Sequence, residues 1–418
     1  MFRLLSVLVL SFAVSSQAIA AVKWNNSSSG STSSDDEVNI SKILPSKISS
    51  NYFCEKEIES YVNDVVTNEE KLITDKRLNS NQDIMENEDF FNNTINYSLY
   101  NRTALVIQQP KNLTASTDLK ALLKQIGISN FATKVNKKKS AQRLLQTDFL
   151  LLYTYAVIAL DETGNLSKDE KKAFIEHIKT RINLRGISSS YTYKGSECTK
   201  QFLGEDKFDV FSCQNHAYGK HHLRMLVGVL TNNKKEIDKG RKLYKFAIDD
   251  LGHTGALWRE ASRGAYSWTY YPHALGSLMA IGDIDKQLGG NLFTYSNKKG
   301  QTIHDAVNFY IESLQNPTNP ELMWKYALKN KGIDKPRKDW NKPKSLNRHK
   351  RVLDRPDYSE WFPIYAYNFS EHQNVNAYKE IIEFNPYDLP PEFTYHLGLN
   401  SWCSYDYGKE KCSTFYCN

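Results

Sequence analysis

The sequence predicts an all-α fold, and three observations lead to this class. Apolar residues recur with helical spacing over most of the chain, and few stretches show the alternation that marks a strand. The helical segments are long enough to pack as antiparallel pairs, which is typical of an (α/α) toroid or an α-solenoid. No fixed-period repeat is visible, so we expect an incomplete (α/α) toroid forming a single large domain.

The first fifty residues of the 418-residue chain are expected to lie outside that domain. Residues 1–20 combine a basic start, an apolar run and a small-residue end at Ala20, which predicts a secretory signal peptide rather than a buried N-terminal helix. Residues 21–50 are rich in Ser and Asn and predict a flexible leader. The domain is then 51–418, and the expected location is the periplasm or the exterior, with no membrane association after cleavage.

An exported chain can keep disulfides. Local pairing favours Cys198 with Cys213 and one bridge within the C-terminal trio, although six cysteines allow 15 connectivities. The absence of a CxxC pair argues against zinc, and we predict no metal and no cofactor. The six cysteines are Cys54, Cys198, Cys213, Cys403, Cys412 and Cys417.

Turn residues, capping residues and apolar periodicity place the elements in order. Residues 79–112, rich in Asn, Asp and Tyr, predict a surface excursion. The basic, Pro-containing segment 331–355 predicts a loop. The predicted helices are 55–72, 116–126, 141–160, one that starts at Ser167, 215–230, 234–250, 263–287, 303–314, 320–329, 358–367 and 375–383.

The first candidate site is Gln214-Asn215-His216-Ala217-Tyr218, at the start of a buried helix. Helix starts favour contacts with anions. Taken alone, the segment favours an asparagine cap followed by a hydrogen-bonded structural histidine. The neighbouring pair His221-His222 points to two sides of the helix and predicts helix surface, not a metal site.

The second candidate site runs from Trp258 to Leu275. On a continuous helix Arg263 and Tyr270 share a face, because seven residues make about two turns. A guanidinium beside a phenol lowers the pKa of that phenol, which could then serve as base and acid. The alternative is an aromatic helix in a core, with Arg263 paired to Glu260.

Together the two segments resemble the alginate lyase family, the all-α poly(mannuronate) lyases. The resemblance rests on Asn215-His216-Ala217-Tyr218, on Glu260-Ala261-Ser262-Arg263-Gly264 with Tyr270 and Ala274-Leu275, and on the stretch Arg355 to Tyr365. It covers residues 200–370 well and the N-terminal part weakly. The resemblance also implies a lid loop with a substrate-binding tyrosine, for which the region of Tyr97 and Tyr100 is the candidate. Tyr271, Pro272, His273 and Trp268 depart from the family pattern, which affects substrate preference more than the catalytic core.

The resemblance implies an exported, monomeric lyase that cleaves alginate or poly-β-D-mannuronate by β-elimination and leaves unsaturated ends. It implies that Asn215, Arg263 and Gln214 neutralise the substrate carboxylate, that Tyr270 is base and then acid, and that His216 assists. The same resemblance gives as substrate-binding residues Gln214, Tyr218, Arg259, Tyr271 and His273.

The net charge of +7 agrees with an acidic polysaccharide as partner, and a nucleic acid is a poor partner for an exported chain without a recognised module. The basic stretch from Lys335 to Arg351, which includes Arg348, either is a solvated face or borders the cleft. Three alternatives remain: a lyase on polyglucuronate or hyaluronan, a non-catalytic toroid that binds acidic polysaccharide, and a glycoside hydrolase using Glu260 with Asp249 or Asp250.

Overall fold

The described part of the protein is helical, as the hydrophobic periodicity predicts. A computed structural model of the chain describes residues 95–129, 140–182, 215–319, 321–323, 325–326, 343–355 and 358–383. Within these ranges there is no strand, so the all-α class is confirmed there. The α-helices are α1 Tyr97–Gln108, α2 Leu113–Ile128, α3 Ser140–Glu162, α4 Lys168–Arg181, α5 Asn215–Leu230, α6 Lys234–Asp249, α7 Trp258–Ala261, α8 Ser267–Gln287, α9 Ile303–Gln315, α10 Pro343–Asp354, α11 Trp361–Asn368 and α12 Gln373–Lys379. Two short 3₁₀ turns cover Gly264–Tyr266 and Leu292–Thr294.

Several sequence predictions lie outside the described residues. They are the signal peptide, the leader, the six cysteines, the first predicted helix at 55–72 and Gln214. Among the described helices, none has the combination of length and apolar character that crossing a bilayer requires.

Consecutive helices pack on each other across short connections. α1 contacts α2, α3 contacts α4, and α5 contacts α6. The connections within these pairs are three to five residues long, a length typical of antiparallel helix pairs. The α5–α6 pair is especially close at Gly228, where an added Cβ would lie 2.8 Å from the backbone nitrogen of Ile237.

The core is centred on α5 and α8. α5 contacts α3, α6 and α8, while α8 contacts α10 and α11 as well. Every residue of α5 is buried except His216 and His221, which are half-buried. A helix buried on all sides must be surrounded by other elements. The first turn of α5 is therefore held rigidly, and it carries the first candidate site.

Helix caps explain several boundaries. Ser167 caps α4 in a capping box, in which its side chain accepts from the Glu170 N–H and Glu170 accepts from the Ser167 N–H, as expected for a helix that starts there. α2 begins before the predicted helix 116–126, because Asn112 caps it and its side-chain oxygen accepts from Ala115 N at 3.1 Å. Gly127 lies inside α2, which ends at Ile128. Gly127 allows close packing, since an added Cβ would lie 1.9 Å from His177 Nδ1.

Two predicted irregular segments are wrong in part, because both contain helices. α1 occupies much of the predicted surface excursion and buries Leu99, Tyr100 and Val106, so Tyr100 is a core residue and not part of a lid. The segment is polar in overall composition, but its apolar residues lie on one side of a helix and are buried. α10 lies in the predicted basic loop and begins at Pro343, because proline is well suited to the first position of a helix.

Candidate active site

The second candidate site is built on a broken helix, not on a continuous one. α7 ends at Ala261, a 3₁₀ turn covers Gly264–Tyr266, and α8 begins at Ser267. Gly264 has φ +63°, a backbone conformation that glycine adopts without steric cost. Arg263 therefore precedes the turn and Tyr270 follows it. The turn still brings them together, with the Arg263 guanidinium carbon 4.0 Å from the centre of the Tyr270 ring.

Glu260 joins the two candidate sites. It is fully buried and accepts a hydrogen bond from the backbone N–H of Asn215 at the start of α5. The same carboxylate lies 3.4 Å from Arg263 Nη1. Arg263 Nη1 also donates to Asn215 Oδ1 at 3.1 Å. The pairing of Arg263 with Glu260, which the sequence offered as the structural alternative, thus coexists with an assembled polar cluster.

Burial dominates the electrostatics of this cluster. It raises the pKa of the Glu260 carboxyl, while Arg263, the Asn215 N–H and Arg259 act against that rise. With Oδ1 of Asn215 turned toward Arg263, its Nδ2 group has no hydrogen-bond partner among the residues the structure describes. An amide donor beside a guanidinium suits an anionic group of a ligand.

Four partly exposed side chains form a layered arrangement, which we call the cation–aromatic stack. The Arg263 guanidinium lies over the Tyr270 ring, and the Tyr266 ring stacks on Tyr270 at 5.6 Å between ring centres and 11° between planes. Arg348 from α10 lies over the Tyr266 ring, with its guanidinium carbon 4.0 Å from the ring centre. The contacts run in the order Arg263, Tyr270, Tyr266, Arg348.

The pKa of Tyr270 is raised, against the sequence-based expectation that Arg263 would lower it. Burial is the largest cause, and Tyr266 and Glu260 add to it, while Arg263 and Arg348 act in the opposite direction. The Tyr270 hydroxyl is therefore neutral at pH 7 in the free protein. It makes no hydrogen bond to any described residue, which leaves it available to a ligand.

His216 follows Asn215 in the first turn of α5 and is half-buried. The structure thus places three of the predicted catalytic residues, Asn215, Arg263 and Tyr270, in one connected cluster, with His216 next to the first of them.

The predicted substrate-binding residues divide differently. Tyr271 is fully buried, donates to Ala306 O at 3.0 Å and accepts from Leu257 N at 2.9 Å, so it belongs to the core. Tyr218 is buried too, and burial raises its pKa well above the ordinary value. Neither ring is exposed to a ligand in this structure.

Arg259 and His273 have other surroundings. The side chain of Arg259 is 2% exposed, and its Nε lies 2.5 Å from Asp250 Oδ2. This buried ion pair removes its charge from any solvent-facing surface. His273 is half-buried beside Tyr358, at 5.7 Å between ring centres. His273 therefore stays the one described candidate for substrate contact with partial exposure.

His222 is not a surface residue as expected. It is fully buried, and its Nε2 lies 3.1 Å from the Tyr155 hydroxyl. Burial lowers the pKa of both His221 and His222 to about 3, so both rings are neutral at pH 7. Within the described residues, no group of three or more His, Cys, Asp or Glu is arranged to hold a metal ion.

Tyr266 has no role predicted from the sequence, and Arg348 is predicted only as part of a basic stretch. A signal for Tyr266 exists, because it precedes Tyr270 by four residues and such spacing brings side chains together at a helix start. The position of Arg348 depends on the packing of α10 against the 3₁₀ turn, which no local pattern in the sequence reveals.

Comparisons with known proteins agree with this geometry. The family model described as alginate lyase matches residues 129–319, a segment that contains both candidate sites. A search of curated protein sequences finds no match to the chain.

Solved structures of alginate lyase A1-III share the fold. The apo form of a histidine-to-alanine variant has a TM-score of 0.56 at 14% identity, covering 78% of this chain and 77% of that one. For the same variant complexed with a tetrasaccharide, the TM-score is 0.52 at 16% identity, covering 70% of this chain and 73% of that one. For the enzyme from Sphingomonas species A1, the TM-score is 0.50 at 16% identity, covering 68% of this chain and 69% of that one.

At these identities the likeness establishes the fold, and it confirms the predicted (α/α) toroid. The family match is independent of it and includes the residues of both motifs. The resemblance that the motifs indicated is thereby confirmed: over residues 129–319 the chain is similar to the alginate lyase family.

Proposed function

We propose that this protein is a polysaccharide lyase that cleaves alginate by β-elimination, with a preference for mannuronate. The observation that carries the proposal is the cluster of Asn215, Arg263 and Tyr270, which two distant chain segments assemble around the buried Glu260. The family match over residues 129–319 supports the same conclusion.

The chemistry requires three operations on a uronate unit. The carboxylate on C5 must be neutralised, the C5 proton must be removed, and the departing O4 must receive a proton. The electron pair of the broken C–H bond forms the C4–C5 double bond, and the pair of the C4–O4 bond leaves with oxygen. Because the negative charge grows on the carboxylate during proton removal, donors fixed beside it stabilise the transition state.

The cluster contains groups for each operation. Asn215 Nδ2 and the Arg263 guanidinium contact the carboxylate and the enolate that develops from it. The Tyr270 phenolate takes the C5 proton and then delivers it to O4 on the same face, as the stereochemistry of mannuronate allows. Its raised pKa makes the phenolate a minor species at neutral pH, and Arg263 above the ring is the group that favours it.

His216 has a supporting role in this proposal. It lies next to Asn215 at the half-buried start of α5, where it assists neutralisation or serves as base when the proton is on the opposite face of the sugar. We also propose that the protein is exported to the periplasm or beyond, where a polymer substrate is accessible. The sequence of residues 1–20 supports that part of the proposal.

A panel of polyuronates tests the function. Polymannuronate, polyguluronate, polyglucuronate and hyaluronan are incubated with the protein, and the unsaturated product is followed by ultraviolet absorbance. We expect the fastest rise with polymannuronate and a loss of about 10²–10⁴ in kcat for Tyr270→Phe. No rise with any polymer would contradict the proposal, and a rise unchanged in Tyr270→Phe would remove Tyr270 from the mechanism.

The hydrolase alternative has little structural support. Asp250 is committed to its ion pair with Arg259, and the Asp249 carboxylate accepts a hydrogen bond from the Tyr295 hydroxyl at 3.0 Å. Glu260 is fully buried and bonded to Asn215 and Arg263. These carboxylates therefore do not present the opposed pair that glycoside hydrolysis needs.

A further inference from the structure

Arg348 is the outermost layer of the cation–aromatic stack, and it comes from a different part of the chain from the other three layers. It lies on α10, which packs against the 3₁₀ turn Gly264–Tyr266 and against α8. Its guanidinium carbon is 4.0 Å from the centre of the Tyr266 ring. α10 thus supplies a cation to the edge of the candidate active site.

Arg348 differs from the other arginines near the site in forming no ion pair with a described acidic side chain. Arg263 and Arg259 each pair with a buried carboxylate, at 3.4 Å to Glu260 and 2.5 Å to Asp250. For Arg348, by contrast, no acidic side chain lies within ion-pair distance anywhere in the described part of the chain. A half-buried guanidinium that has only a ring as partner keeps its hydrogen-bond donors for an anion.

The stack also limits what can bind at this end of the site. The Tyr266 ring packs on Tyr270 and also against the Arg348 guanidinium, so much of the ring is already in contact with the protein. Recognition beside Tyr266 is therefore expected to come from the guanidinium. Arg263 contacts Tyr270 and Arg348 contacts Tyr266, so the two cations lie against different rings and suit two different anionic groups.

We propose that Arg348 binds the carboxylate of a second uronate unit, next to the unit whose C5 proton Tyr270 removes. This inference rests on the proposed function and adds to it a substrate requirement. The preferred substrate carries carboxylates on consecutive units, and a chain with neutral sugars beside the cleavage point binds more weakly. Arg348 touches the substrate but none of the reacting atoms.

The alternative hypothesis is that Arg348 does not bind substrate and only packs against Tyr266, which in turn holds Tyr270 in position. Arg348→Met separates the two roles, because methionine keeps an apolar contact with the ring and removes the charge. Arg348→Ala removes both. Lys350→Ala is the matched control, since Lys350 is an exposed cation two residues along the same helix with no contact to the stack.

The experiment measures kcat and KM on polymannuronate for the four proteins. We expect Arg348→Met and Arg348→Ala to raise KM about tenfold while kcat changes less than about threefold, and Lys350→Ala to match the parent. Polymannuronate in which a part of the carboxyls is reduced to alcohols is then compared with the intact polymer. The parent should bind the reduced polymer more weakly than the intact one, whereas Arg348→Met should bind the two polymers with similar affinity. A kcat loss in Arg348→Ala with a normal Arg348→Met, or an unchanged KM in both, would overturn the proposal.

The two proposals can fail separately. If the parent releases unsaturated product and Arg348→Met keeps the parental KM, the subsite is wrong and the lyase function stands. If the parent shows no turnover, binding of polymannuronate is measured by calorimetry instead. Binding that is about tenfold weaker in Arg348→Met than in Lys350→Ala would then support the subsite without the lyase, while equal binding would contradict it.

Discussion

Tyr270 and Tyr271 are adjacent in the sequence but differ in burial and in the hydrogen bonds of their hydroxyls. Tyr270 is half-buried, lies between Arg263 and Tyr266, and has a hydroxyl without a partner among the described residues. Tyr271 is fully buried, stacks on Tyr310 at 5.0 Å between ring centres, and uses its hydroxyl on two backbone groups. The same residue type therefore serves the surface of the site in one case and the core in the next.

We predict opposite effects of removing these two hydroxyls. Tyr271→Phe leaves Ala306 O and Leu257 N without that buried partner and should lower the free energy of unfolding by about 1–3 kcal/mol, with kcat close to the parental value. Tyr270→Phe should change stability by less than about 0.5 kcal/mol. Urea unfolding and lyase kinetics on both variants test this. A stable Tyr271→Phe or an unstable Tyr270→Phe would show that the two environments are assigned wrongly.

The sequence predicts the types of residue in the site better than their surroundings. Asn215, Arg263 and Tyr270 could be found because residue types at fixed spacings resemble a family motif. Tyr271 and Arg259 are buried in the structure, and a motif does not say which of its residues points inward. The break in the helix at Gly264, which has φ +63°, is not predicted by a continuous helical pattern over 263–287.

At the scale of elements, α8 continues through Pro272, although a proline inside a helix removes one backbone hydrogen bond. Proline has no N–H, so the carbonyl four residues earlier, that of Trp268, loses its helical donor. The Tyr310 hydroxyl on α9 donates to this carbonyl at 3.1 Å. A side chain from the neighbouring helix thus replaces the missing backbone hydrogen bond and lets α8 remain a single element.

This replacement can be measured with a double-mutant cycle. Tyr310→Phe should cost about 1–3 kcal/mol of unfolding free energy in the parent. In Pro272→Ala the new N–H can donate to Trp268 O, so the same change should cost about 1 kcal/mol less. The free energies come from urea unfolding of the four proteins. Additive costs, within about 0.3 kcal/mol, would mean that the hydroxyl does not compensate for the proline.

The other helices differ in how well the sequence predicts them. α5 was predicted with its observed bounds, because a polar motif is followed directly by an apolar run, and α4 was predicted from its capping box. α10 was missed because basic residues and prolines suggest a loop. Its buried contacts, Val352 and Leu353, come at its end, and their burial depends on helices distant in the chain.

Across the whole described structure, histidine burial is the common electrostatic feature. Burial lowers the pKa of His304 to about 4, with the stacked His372 at 4.2 Å adding to the effect and Asp305 opposing it. These rings are neutral in the folded protein at pH 7 and share hydrogen bonds with the Tyr365 hydroxyl. Among the described residues, a lowered pKa is found for His177, His221, His222, His304, His349 and His372.

The protein should therefore lose stability as the pH falls below about 6.5. The unfolded chain binds protons on these histidines near their ordinary pKa of 6.5, whereas the folded chain binds them only at lower pH. Their stabilising effect is complete above pH 6.5 and decreases as the pH falls through 6.5 toward 4. Two buried carboxyls, Asp250 and Glu260, have raised pKa values and act in the opposite sense, but they are outnumbered.

Urea midpoints between pH 8 and pH 5 measure this dependence. The midpoint should stay nearly constant from pH 8 to about pH 6.5 and fall from there to pH 5. His304→Asn should flatten the fall, because asparagine retains an acceptor near the Tyr365 hydroxyl and cannot be protonated. A variant of an exposed lysine, Lys350→Ala, should keep the parental slope. A midpoint that is constant or rises toward pH 5 would mean that the buried carboxyls outweigh the histidines. In that case Glu260→Gln should abolish the rise, since it removes the carboxyl with the deepest burial at the site.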